Sequence, residues 1–159
     1  MISIQFLYDI YTGGAHPNQV IETRNFGRTP FQELSLDQFP TYKNQREFLS
    51  EISKFCREEV VRQKRARFQD NAEHTAEQIW EPDQWEDDWI RRGAGPDWKN
   101  FENFYIEGDA IRFEFPPYQV AGYAEGFFAC SMPFAQLEHL MRPEIVEILR
   151  GGERIDSKG

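Results

Sequence analysis

The sequence predicts an α+β fold: an antiparallel sheet built from N- and C-terminal hairpins, packed with one long helix and shorter helices. Three stretches carry that prediction. Residues 2–11, ISIQFLYDIY, place Ile2, Ile4, Phe6, Tyr8 and Ile10 at one parity, the alternation of a strand with one buried face. Residues 103–115, NFYIEGDAIRFEF, set Ile111, Phe113 and Phe115 against Arg112 and Glu114 beyond a Glu107-Gly108-Asp109 turn, which reads as a hairpin. Between them Phe48, Ile52, Phe55, Cys56 and Val60 share one face of a helix from about residue 45 to 67.

The elements follow in order. After the first strand, YTGGAHPN breaks the alternation and QVIETRNF resumes it, giving strand, loop, strand. In that loop Gly13 and Gly14 supply positive φ or close backbone approach, Pro17 stiffens the exit, and His16 fastens the turn with its ring nitrogens. FQELSLDQF is a further short extended segment ended by Pro40. Asn44 and Glu47 stand three apart ahead of the helical run, an N-cap with an Asn form of the capping box. Arg62, Lys64, Arg65 and Arg67 collect at its far end, where cations suit the helix dipole and a solvated end suffices to explain them.

Residues 70–98 change character. EHTAEQIW reads as helical, Pro82 opens a second short helix, and Gly93, Gly95 and Pro96 stop it. Trp80, Trp85, Trp89 and Trp98 lie among Glu81, Asp83, Glu86, Asp87, Asp88 and Asp97. Trp85 and Trp89, four apart, share one helix face; packing on the core is its ordinary use, a surface for a basic protein or a glycan its alternative. In the last third, PPYQVAGYAEG is a loop, GFFACSMPF a strand, and residues 134–149 a helix ending at Gly151-Gly152. Residues 1–150 thus form a single domain, with a flexible tail over 151–159.

Size and charge narrow the function. A chain of 159 residues with 14 Phe, 6 Tyr and 4 Trp builds a core without metals or many disulfides. A net charge of -9, from 27 acids against 18 bases, disfavours nucleic acid as partner and suits either a basic protein or simple solubility. Cys56 and Cys130 lack metal-ligand spacing; they either pair or remain as two buried thiols. No stretch reaches the ~20 apolar residues of a membrane helix, and no basic-then-apolar leader opens the chain. Strand-like residues directly after Met1 suggest a piece of a longer protein.

Catalytic signals are weak. His16, His74 and His139 form neither HxH nor HExxH. GxSxG, GxxxxGK[ST] and GxGxxG are missing. The expectation is a protein without catalytic residues, bound metal or cofactor.

A family resemblance adds to this reading. The strand into YTGGAHPN, the second strand with RNF, then ELSLDQF, and downstream NFYIEGDAIRFEFPPYQVAGYAEG with the strand into MPFAQL together resemble the RsiV-type extracytoplasmic domain, named for a lysozyme-sensing anti-sigma factor. Residues 2–40 and 101–147 carry the likeness; the Trp-rich acidic stretch over 70–98 has no counterpart in it. The resemblance implies an antiparallel α+β domain on the outer side of the bacterial membrane, with lysozyme or a cell-wall component as partner. The family's FxxYxVAxYAxG-like loop matches Phe115, Tyr118, Val120, Ala121, Tyr123, Ala124 and Gly126. It makes Pro116, Pro117, Tyr118, Gln119 and Tyr123 the expected partner contacts.

Two rivals stand beside this reading. One is a hydrolase of cell-wall polymer using acids from 81–88 with His16. The other is a structural module that positions a neighbouring domain, for which an exposed apolar patch is the expected sign.

Overall fold

A computed structural model describes residues 1–13, 17–28, 30–70 and 86–151, without side chains at 69 and 70. Gly14, His16, His74, Trp80, Pro82, Trp85 and the tail beyond 151, with the readings placed on them, lie outside the described residues.

The architecture is α+β with antiparallel pairing throughout, and the two hairpins sit in separate three-stranded sheets. The first holds β1 (Ile2–Ile10), β2 (Asn18–Arg28) and β3 (Phe31–Glu33) in that order. β1 pairs with β2 from Ile2 opposite Phe26 to Ile10 opposite Asn18. α1 (Gln45–Asp70) follows, then the short α2 (Asp88–Gly93). The second sheet holds β4 (Phe104–Glu107), β5 (Ala110–Phe115) and β6 (Phe128–Pro133), and α3 (Pro143–Arg150) ends the description.

The core lies between α1 and the second sheet. Phe48, Ile52, Cys56 and Val60 of α1 are buried, as the helical spacing predicts. They meet Phe113, Phe115, Phe128 and Cys130 within one apolar cluster. Phe101 stands edge-on to Phe113 at 5.4 Å, a favoured arrangement of ring quadrupoles. Cys56 and Cys130 pair as a disulfide, with Cα atoms 5.5 Å apart across 74 residues of sequence. This resolves the alternative that spacing left open.

Four local expectations are corrected. Of FQELSLDQF, only Phe31–Glu33 is strand, and Leu36–Gln38 coils into a 3₁₀ turn capped by Ser35 and Gln38. Asn44 lies within the 3₁₀ turn Tyr42–Asn44, and its amide donates to the Leu140 carbonyl. The helix expected over 134–149 is two 3₁₀ turns followed by α3, because Pro143 takes the first helical position and cannot donate to an earlier turn. Two of the four cations ending α1 are also used inside the fold. Lys64 is buried with its ammonium 3.0 Å from Asp87, while Arg67 donates to the carbonyls of Glu125 and Phe127 and covers the Phe128 ring.

The largest correction concerns β1, whose expected buried face is turned outward. Ile2, Ile4, Phe6, Tyr8 and Ile10 are all more than a third exposed. On the opposite face only Ser3 of β1, with Thr23 and Asn25 of β2, meets the second sheet, while Gln5, Leu7 and Asp9 are exposed. β4 is an edge strand, and its backbone groups need partners that no neighbouring strand supplies. Side chains of the first sheet provide them. The Phe104 N–H donates to Thr23 Oγ1 at 2.9 Å and the Ile106 N–H to Ser3 Oγ. The Phe104 carbonyl accepts from the Asn25 amide at 2.8 Å, and Ser3 Oγ donates to Asn25 Oδ1. Satisfying that edge requires polar residues inside.

On the second sheet, Tyr105 donates to Glu114, which also accepts from Arg112. Burial, with the Glu114 charge second, pushes the Tyr105 phenol up to about 12. An unfolded tyrosine ionises near ~10. Neutral Tyr105 therefore favours the folded state fully below pH ~10, and that contribution is lost as the pH climbs toward 12. We expect Tyr105→Phe to lose less stability than the parent protein between pH 9 and 11.5 in denaturant titrations. Equal losses in both proteins count against the shift.

Candidate functional site

The loop after β5 carries the one backbone departure that does not involve glycine. Tyr118 has φ 73°, and no other non-glycine among the described residues has positive φ. For a residue with a Cβ this costs about 1–2 kcal/mol, and such strain persists only where the surroundings hold it. Here they do. The Tyr118 N–H donates to the Ala121 carbonyl and the Gln119 N–H to the Pro116 carbonyl. The Gln119 amide donates to the carbonyls of Gly93 at 2.8 Å and Asn100 at 2.9 Å. Val120 and Ala121 are buried directly behind.

α2 supplies the other side. Asp87 caps it by accepting from the Ile90 N–H, and Ile90 and Gly93 are its buried residues. Gly93 lies so close to the loop that a Cβ there would stand 1.8 Å from the Gln119 carbonyl oxygen. The Asn100 amide then ties Arg92 and Gly95 together at their carbonyls. Glycine is required at position 93 because two backbones touch there.

The result is an aromatic group on a rigid base. The Tyr118 ring, half exposed, lies 5.6 Å from Tyr123 and 6.5 Å from Trp89, which is 39% exposed. The Tyr123 hydroxyl donates to the Pro17 carbonyl at 3.1 Å, so the loop before β2 and the loop after β5 meet. Of the expected contacts, Tyr118 faces solvent and Pro116, Pro117 and Tyr123 are partly exposed. Gln119 spends its amide inward as the loop's fastening. Gly13 has φ 91°.

The nearby carboxylates are engaged. Glu86 pairs with Arg57, Asp87 with Lys64, and Asp88 with Arg91; the Arg91 hydrogen bond holds the Asp88 carboxyl below its ordinary range. Among the described residues no three His, Cys, Asp or Glu side chains converge as metal ligands would. Two open grooves of about 580 and 960 Å³ flank the first sheet, and neither includes Tyr118. The aromatic group is a surface, not a cleft.

Trp89 was legible as the neighbour of Trp85 on one helix face, with a packed or a partner-facing role both open, and its place beside Tyr118 required the fold. Gly93 read as a helix stop; its contact with Gln119 left no local signal.

Fold and surface together define a small disulfide-bridged α+β domain presenting an aromatic loop. The family model of DUF3298, a protein of unknown function, matches residues 42–135, and the chain belongs to that family. No curated protein matches it. The crystal structure of a DUF3298 member from Bacteroides fragilis NCTC 9343 aligns over 94% of this chain and 52% of its own, with TM-score 0.61 and 23% identity. A DUF3298 protein from Pseudomonas aeruginosa PAO1 aligns over 90% of this chain and 56% of its own, with TM-score 0.54 and 15% identity. At these identities the likeness establishes the fold alone. The chain spans about half the length of either structure. No helix among the described residues is long and apolar enough to cross a membrane.

Proposed function

We propose that the chain is a non-catalytic binding module of the bacterial cell envelope that contacts its partner through Tyr118, and that the partner is a basic protein of the C-type lysozyme kind. The observation that carries this reading is Tyr118 itself, a half-exposed ring kept at φ 73°. A purely structural turn is served better by glycine at that angle. Retaining a strained aromatic, pre-ordered between Trp89 and Tyr123, suits a contact residue that loses little entropy on binding. The net charge of -9 favours a basic partner, and the resemblance to the RsiV-type domain points to lysozyme. An oxidising compartment suits the disulfide between Cys56 and Cys130. The pairing of Glu86, Asp87 and Asp88 with cations supports the non-catalytic half of the proposal.

Calorimetric titration with a basic C-type lysozyme at low and moderate salt tests it. Saturable binding should weaken as salt rises, and Tyr118→Ala should weaken it roughly tenfold or more. Tyr118→Gly should lose binding equally while keeping folding stability within about 1 kcal/mol, because released strain offsets the lost ring contacts. Undiminished binding after Tyr118→Ala removes the loop from the interface. No heat at either salt removes lysozyme, and soluble cell-wall oligosaccharides, whose sugar faces suit an aromatic surface, are then titrated.

A further inference from the structure

We infer that β1 is a self-association strand, pairing antiparallel with β1 of a second copy of this chain about a two-fold axis at Phe6. β1 is the outer strand of its sheet, and among the described residues its only ladder partner is β2. A long unpaired edge recruits other strands unless it is short, charged, kinked or covered. The other edges show such protection. β3 has three residues. The β4 edge is capped by Ser3, Thr23 and Asn25, and Ala129 of β6 gives its carbonyl to the Gln63 amide at 2.6 Å. Among the described residues β1 has none of these: nine residues, no proline, no lysine, and Asp9 as its one charged side chain.

The strand is complementary to itself. A two-fold at Phe6 sets Ile2 opposite Ile10 of the second copy, Ile4 opposite Tyr8, and Phe6 opposite Phe6. On the other face Ser3 meets Asp9 and Gln5 meets Leu7. Apolar groups thus oppose apolar groups on the exposed face, with the flanks of those side chains in contact across the new pair. Charge selects the same place. A chain of net charge -9 repels its own copies over most of its surface, yet here the single acid of β1 faces serine. On the same face of β2, Arg24 pairs with Glu33 at 2.8 Å and Glu22 accepts from the Tyr8 hydroxyl. The outcome is one continuous six-stranded sheet, with the two Tyr118 surfaces carried on separate copies.

Sedimentation equilibrium of the oxidised protein across the micromolar range tests this. The parent chain should form a dimer. Phe6 is about half exposed, so Phe6→Lys and Phe6→Glu should keep the parent far-UV circular dichroism, the second despite facing Glu22, while each weakens the dimer at least tenfold by placing like charges opposite at the axis. An equimolar mixture of the two variants should regain the dimer, since Lys then faces Glu. A parent chain that stays monomeric overturns the inference and leaves the strand to a neighbouring domain. A dimer indifferent to both variants, or a mixture that stays apart, also overturns it.

Discussion

Removing the Cys56–Cys130 bridge, by Cys56→Ser with Cys130→Ser, should destabilise the domain by about 4 kcal/mol. The bridge spans 74 residues, and closing a loop of that length removes roughly this much chain entropy from the unfolded state. It also joins α1 to β6, the two elements that face each other across the core. For a chain of this size the loss corresponds to a fall in Tm of roughly 10 °C. Both cysteines are buried, so reductant should act slowly on the folded protein and quickly in denaturant. Thermal unfolding of the parent, the reduced protein and the double variant checks this. Identical Tm values for parent and variant count against the bridge.

Among the described glycines, Gly93→Ala should be the most damaging alanine substitution. The added Cβ would stand 1.8 Å from the Gln119 carbonyl oxygen and 2.6 Å from its carbon. Those are backbone atoms, so no rotamer change relieves the overlap. Either α2 or the Tyr118 loop must move, breaking the Gln119 bond to Gly93. Overpacking of this kind costs on the order of 3 kcal/mol, and displacement of the loop should carry Tyr118 away from Trp89. Gly122→Ala is the control: its φ is -65° and an added Cβ meets nothing within 4 Å. It should leave stability within about 0.5 kcal/mol. Chemical denaturation reads the stability, and tryptophan fluorescence reads the environment of Trp89. Equal behaviour of the two alanine variants contradicts the close approach.

The candidate surface was only partly legible. Pro117 and Tyr118 stood out as an aromatic on a proline-stiffened loop, and YTGGAHPN as a turn, yet nothing local joined them. The Tyr123 hydroxyl on the Pro17 carbonyl spans 106 residues, a pairing that periodicity and turn chemistry do not encode. Gln119 entered as an expected contact through the family likeness, and only the fold shows its amide on the carbonyls of Gly93 and Asn100.

By itself the sequence determined the α+β class, the strands at 2–10 and 110–115, the apolar face of α1 and the glycine turn between β4 and β5. Each is written in the spacing of neighbouring side chains, the quantity that local backbone geometry converts directly into structure. Tertiary structure alone decided which way β1 faces. Alternation marks two unlike faces without saying which is inside, and here Ser3 alone of β1 is drawn in, joining Thr23 and Asn25 of β2 in satisfying the β4 backbone. The strain at Tyr118 was decided in part likewise: the Gln119 N–H on the Pro116 carbonyl closes a local turn whose third position takes positive φ, and only the fold shows that α2 and Asn100 then hold that turn through the Gln119 amide.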